Sequence, residues 1–160
     1  MRTVVVISAL LFSAAVFAET VFIEPTQDNT LYEHAQGALS NGSGDHLFVG
    51  RNSSGDIRRG LISFKNLDAI PDHATIRSVR LHLFSSRQDS PAMAISLFRV
   101  TADWCEGSSH AAGEEDAGAA AQAGDATWIW RFWPDVPWSS PGGDFAALSS
   151  GQAEIDAIGP

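Results

Sequence analysis

Apolar and polar residues alternate in several short stretches of the chain, which is the pattern of β-strands with one buried face. The clearest stretch is ATIRSVRLHLF (74–84), where Val79, Leu81 and Leu83 alternate with Arg80 and His82. Further strands are predicted at 19–25, 46–50, 57–64 and 92–100. Several short strands separated by turn residues predict an all-β fold, specifically an antiparallel β-sandwich with long irregular loops.

Two stretches lack this pattern. Residues 106–126 are rich in Gly, Ala and Ser, contain an acidic triplet at 114–116 and have no bulky apolar residue. Such a stretch cannot bury enough surface to form a core element, so we predict a long acidic loop. Residues 149–160 are predicted to be an irregular tail. One β-domain over 19–148 is therefore expected.

Residues 1–18 have the three parts of a secretory signal peptide. Arg2 supplies a positive charge, an apolar run extends from Val4 to Phe17, and a cleavage site ends at Ala18. We therefore expect cleavage near Ala18 and a secreted or cell-surface protein. No second apolar stretch of about 18 residues follows, so no membrane span is expected in the mature chain.

Composition narrows the classes of partner and chemistry. The formal net charge is −9, which argues against nucleic acid or an anionic membrane as a partner. Cys105 is the single cysteine, so no internal disulfide is expected. The sequence contains no recognisable catalytic motif, and its five histidines lack metal-ligand spacing. Acidic turns at 28–30, 40–45 and 114–118 offer oxygen ligands for a structural calcium ion, although none has the spacing of an EF-hand loop.

Four of the five tryptophans fall between residues 128 and 138. Trp128 is predicted to face the core from an extended segment. Trp133 and Trp138 lie among prolines, where they could either close one end of the core or stack on the apolar faces of sugars. On the second interpretation, Arg131 and Asp135 are the expected partners for sugar hydroxyls, and all four residues are candidate ligand contacts.

Long motifs of the chain resemble the DNRLRE domain family, which comprises exported jelly-roll modules classed with carbohydrate-binding modules. The similarity extends from about Phe22 to Phe145. It rests on DNTLYE (28–33), on the central HLFVGRNSSGDIRRGLISF, on TADWCEGSS (101–109), and on GDATW followed by PGGDF. The resemblance implies a jelly roll, association with polysaccharide or the cell surface, and no catalysis.

In one respect the sequence differs from that family, whose domains continue for several strands after the GGDF region. The chain instead ends at Pro160 with a short tail. This predicts a C-terminally incomplete sandwich with unpaired edges, or a partner chain that completes it. The expected function is a secreted, non-catalytic, polysaccharide-binding module; the alternative is a structural or adhesive cell-envelope protein without a small ligand.

Overall fold

A computed structural model describes residues 19–88, 92–155 and 158–159; the predicted signal peptide lies outside these residues. The described part is all-β and contains no helix. Its nine strands are β1 (Gln27–Tyr32), β2 (Leu39–Ser40), β3 (Gly50–Arg51), β4 (Ile57–Ser63), β5 (Met93–Val100), β6 (Ala119–Ala120), β7 (Trp130–Phe132), β8 (Val136–Pro137) and β9 (Phe145–Ile155).

The strands form four small antiparallel sheets. The largest has the order β1-β4-β3, with Gln27 opposite Ser63 and Tyr32 opposite Arg58. The other three sheets are the pairs β2-β6, β5-β9 and β7-β8. In the β5-β9 pair the register shifts twice, which indicates bulges between Leu97 and Val100. A two-stranded sheet is marginal by itself, so the small sheets depend on packing against the rest of the chain.

The apolar core lies between the three-stranded sheet and the segments near the tryptophans. Its buried members are Leu31, Leu61, Ala126, Trp128 and Trp138. Partly buried side chains pack around them, including Ile57 and Trp104. The core is small, and the neighbouring interior is polar.

Asn29 on β1 organises that polar interior. Its side-chain amide donates to Ser40 Oγ (2.9 Å), to Glu106 O (2.6 Å) and to Ala126 O (3.3 Å). Its carbonyl oxygen accepts hydrogen bonds from the backbone amides of Thr30 and Asn41. One buried side chain thus connects β1, β2 and two loops, and a polar group this buried is stable only when it is paired in this way.

The strand predictions at 57–64 and 92–100 are confirmed by β4 and β5. The strand predicted at 74–84 is not formed. The structure assigns no strand to this segment, and Ile76, Val79 and Leu83 are exposed. The segment has the alternating pattern of a strand, but no other described strand pairs with its backbone. Residues 19–25 are likewise unpaired, and of the stretch 46–50 only Gly50 belongs to a strand.

Two paired strands come from stretches with weak patterns. β9 occupies much of the tail that was expected to be irregular, and it extends to Ile155 beside β5. The stretch 106–126 contributes the two-residue strand β6, and its Glu115 and Asp125 are buried. Hydrogen bonds and small buried alanines, such as Ala126, hold that stretch in place.

Candidate functional site

The tryptophan segment divides between core and surface. Trp128 and Trp138 are buried, with 8% and 5% of their surface exposed. The Trp138 indole Nε1–H donates to Thr127 O at 2.9 Å, which satisfies its only polar atom inside the protein. Trp128 therefore packs in the core as predicted, and Trp138 has little ring face to offer a ligand in this structure.

Trp133 and Asp135 share the turn that joins β7 to β8. The Trp133–Pro134 peptide bond is cis, the Trp133 amide donates to Asp125 O (2.8 Å), and the Asp135 amide donates to Phe132 O (3.0 Å). Trp133 is half-buried, whereas Asp135 is exposed. This turn presents part of one ring and one carboxylate to solvent.

Arg131 points to a neighbouring segment. Its Nη1 donates to Asp103 O at 3.0 Å, and its Cζ lies 5.3 Å from the centre of the Phe132 ring. Of the four candidate ligand residues, the structure therefore brings Trp133 and Asp135 into one turn, and it places Trp138 in the core and Arg131 against residue 103.

Two long motifs of the chain, WCEGSS and GDATW, meet around Asp125. This buried carboxylate accepts hydrogen bonds from the amides of Ser108 and Gln122, both at 2.8 Å. Next to it, the Ala126 amide donates to Cys105 O at 3.0 Å. WCEGSS and GDATW thus hold two loops together. Their polar residues have a role in holding the fold, and the structure gives no sign of a catalytic role for them.

The GGDF motif has a similar explanation. Gly142 has a φ of 91°, and a Cβ atom there would come within 2.9 Å of Trp128 Cη2 and still closer to Arg59 Nη1. The Asp144 carboxylate accepts hydrogen bonds from the amides of Ser139 and Ser140, which closes this turn. The motif packs the turn against Trp128.

Arg59 lies beside that turn. Its Nη1 donates to Gly142 O at 2.6 Å, and its guanidinium lies about 5 Å from the rings of Trp128 and Phe145. Burial lowers the pKa of Arg59, and the nearby carboxylate of Glu33 opposes that shift. The charged guanidinium of Arg59 therefore lies over one edge of the apolar core.

Two surface depressions flank Pro141, which lines both. One, of about 590 Å³, is lined mostly by the turn after β8 and by Arg59. The other, of about 580 Å³, has an apolar part formed by Trp128, Ile129 and Pro141. The polar and small residues around that apolar part are Glu33, His34, Ala35, Arg51, Ser54, Gly55 and Asp56. We call this second one the Trp128 depression.

One residue of the Trp128 depression, His34, has an unsatisfied polar atom. Its Nδ1 is buried and has no hydrogen-bond partner within the described residues. Unpaired buried polar atoms are rare because each costs about 1–3 kcal/mol. Apart from the polar loop RNSSGD, no sequence signal points to this group of residues, because the depression depends on how two loops meet the tryptophan segment.

The acidic triplet contributes a buried anion. The Glu115 carboxylate is 4% exposed and accepts hydrogen bonds from the amides of Asp45 (3.1 Å) and His46 (2.9 Å) and from Asn41 Nδ2 (3.0 Å). His46 Nδ1 is 3.3 Å away, and His110 Nε2 is 3.9 Å away. The acidic turn at 114–118 was expected to offer oxygen ligands to calcium, but N–H groups already donate hydrogen bonds to the Glu115 oxygens. No metal-ligating cluster occurs in the described part of the chain.

Comparison with known proteins found no match among family models, curated proteins or solved structures. Within residues 19–88, 92–155 and 158–159, no helix has both the length and the apolar character needed to cross a membrane.

Proposed function

We propose that the chain is a non-catalytic, exported β-sandwich module that binds polysaccharide in the Trp128 depression. The observation that carries this proposal is the composition of that depression. Ile129 and Pro141 form most of its apolar part, to which the buried Trp128 adds only a small exposed edge, and Arg51 and Asp56 belong to its polar surroundings. The resemblance to the DNRLRE family favours the same class of ligand.

Sugar recognition needs both kinds of surface. The C–H faces of a sugar ring pack on apolar side chains, while its hydroxyls exchange hydrogen bonds with carboxylates, guanidinium groups and imidazoles. Arg51 is exposed and therefore the polar side chain of the depression that a hydroxyl can reach directly, whereas the buried Nδ1 of His34 would have to turn outward to bind one. The net charge of −9 favours a neutral polysaccharide over an acidic one.

The two carboxylates of the depression are engaged in internal hydrogen bonds, which favours a non-catalytic function. Glu33 Oε2 accepts a hydrogen bond from the Ile57 amide at 2.7 Å. Asp56 Oδ2 accepts one from Asn52 Nδ2 at 2.9 Å. Both groups therefore hold β4 and the loop before it in place. A hydrolase that cleaves glycosidic bonds needs two carboxylates free to face one bond.

Affinity electrophoresis against a panel of soluble neutral polysaccharides, such as xylan, galactomannan and hydroxyethyl cellulose, tests the proposal. We expect at least one of them to retard the protein. The double variant Arg51→Ala with His34→Ala should weaken retardation about ten-fold or more, because two hydrogen-bonding groups are lost.

The matched control is Trp133→Ala with Arg131→Ala, which alters the turn after β7 and leaves the Trp128 depression unchanged. It should bind like the unmodified protein. If only this control loses binding, the ligand site is the turn and not the depression. If no polysaccharide retards the protein, glycan binding is the wrong function.

A second candidate is a structural or adhesive component of the cell envelope without a small ligand. Large apolar side chains that remain exposed outside the depression favour it, notably Phe22, Val79 and Leu148. Exposed apolar surface of this kind is typical of proteins that associate with other chains.

A further inference from the structure

Residues 75–84 form a stretch with the sequence of a β-strand and no partner. None of these residues makes a hydrogen bond within the part of the chain that the structure describes. Val79 is 84% exposed and Phe84 is 71% exposed. A strand-like segment with free backbone N–H and C=O groups is a template for another strand.

This segment is also cationic in an acidic protein. It carries Arg77, Arg80 and His82, and no Asp or Glu occurs anywhere between residues 73 and 88. Pairing with the same segment of a second copy would bring its arginines close together, which is unfavourable because like charges repel across a strand pair. A complementary strand should therefore be acidic.

Residues 19–24, Glu-Thr-Val-Phe-Ile-Glu, have the complementary character. They too make no hydrogen bond within the described residues; the first backbone bond after them is from the Thr26 amide to Ser63 O. Phe22 is 85% exposed, and Glu19 and Glu24 stand at the two ends of this stretch. Residues 19–24 and 75–84 are thus two unpaired strand sequences of opposite charge.

We propose that residues 75–84 are a strand-addition site and that residues 19–24 of a second copy occupy it. Both segments are unpaired within the residues that the structure describes, so we place the pairing between different copies. If each copy donates one segment and accepts the other, the result is a closed two-fold dimer. This inference does not depend on glycan binding.

The spacing of the polar residues in the two segments selects a register. Glu19 and Glu24 are five positions apart, as are Arg77 and His82. One antiparallel register therefore places Glu24 opposite Arg77 and Glu19 opposite His82. The same register places Phe22 opposite Val79, so an aromatic–aliphatic pair forms between two side chains that are exposed in the single chain.

Charge exchange tests this register. The molar mass of the purified, untagged protein should rise from monomer to dimer with concentration in sedimentation or light-scattering measurements. Glu24→Arg or Arg77→Glu alone should weaken the dimer about ten-fold or more, because a reciprocal dimer contains the pair twice. The double variant should recover most of the affinity.

Asp68→Arg, at an exposed turn outside both segments, is the matched control and should dimerise normally. The proposal is overturned by a monomer at every concentration, by single variants that dimerise normally, or by a double variant that stays as weak as the singles. Circular dichroism should show that all variants remain folded, since the altered side chains are exposed.

Disulfide trapping tests which copies pair. In a Cys105→Ser background, separately purified Phe22→Cys and Val79→Cys proteins are mixed and oxidised with a mild oxidant. A disulfide-linked heterodimer on a non-reducing gel is expected. If mixing yields no heterodimer, while one chain carrying both cysteines forms only an internal link, the pairing lies within a single copy and the proposal is wrong.

Discussion

Gly107 lies directly against the buried carboxylate of Asp125. A Cβ atom at position 107 would overlap Asp125 Oδ1, and the φ of 86° at this glycine is one that other residues adopt only with strain. This contact lets the Ser108 amide reach the same carboxylate at 2.8 Å. It therefore gives both the glycine of WCEGSS and the aspartate of GDATW a structural role in joining the two loops.

We expect Gly107→Ala to lower the free energy of unfolding by about 2–5 kcal/mol, because steric overlap adds to backbone strain. Gly55→Ala is the matched control, since its φ is 89° and nothing lies within 4 Å of the added Cβ. Strain alone should cost about 1–2 kcal/mol there. Urea unfolding of both variants measures the difference, and equal losses would contradict the contact with Asp125.

Glu115 should make stability depend on pH. Burial acts to raise the pKa of this carboxyl, but the hydrogen bonds from Asp45, Asn41 and His46 outweigh it and lower the pKa below its ordinary value of 4.5. A carboxyl with a lowered folded pKa stabilises the protein above pH 4.5, and this stabilisation is lost as the pH falls through the folded pKa. Glu115→Gln should therefore cost about 1–3 kcal/mol at pH 7 and progressively less below pH 4.5.

The exposed neighbour provides the control for this experiment. Within the described residues, Glu114 forms only a surface ion pair with Arg87, at 3.4 Å, so Glu114→Gln should change stability by less than about 1 kcal/mol. Urea unfolding between pH 3 and pH 7 gives both profiles. A Glu115→Gln protein that loses the same amount of stability at every pH would show that the carboxylate charge is not what stabilises the loop.

The sequence predicted strands correctly where a strong apolar pattern coincides with a partner in the structure. This holds for β4, which pairs with β1 and β3, and for β5, which pairs with β9. The pattern at 75–84 is as strong as either, yet no strand is formed there. The alternation of apolar and polar residues shows that a segment is able to form a strand. Whether the strand forms depends on whether another strand lies beside it to pair with.

The missed elements lack apolar contrast. β9 begins with Phe, Ala and Leu but continues through Ser, Gly and Gln, so its place in a sheet comes from pairing with β5. β1 begins with Gln, Asp and Asn, which are uncommon in strands. Its Asn29 is buried because its side chain holds two loops, and strand propensities do not predict such a role. The Trp128 depression could not be predicted for the same reason, since it depends on how separate loops converge.

Trp138→Phe tests the core assignment of that ring. The change removes the Nε1–H donor to Thr127 O, a 2.9 Å bond, and leaves a small cavity. We expect a loss of about 1–3 kcal/mol in the free energy of unfolding. Trp133→Phe removes a half-buried ring for which no internal hydrogen bond to the indole nitrogen is found in the described residues, so it should cost less in the same urea titration.

Acrylamide quenching of tryptophan fluorescence separates the two rings directly. Trp128 and Trp138 are buried, whereas Trp104, Trp130 and Trp133 are partly exposed, so the quenchable emission should come from the second group. Trp133→Phe should therefore reduce the quenchable fraction, while Trp138→Phe should reduce the protected fraction. If Trp138→Phe instead removes quenchable emission, its ring is open to solvent and regains a place among the candidate ligand contacts.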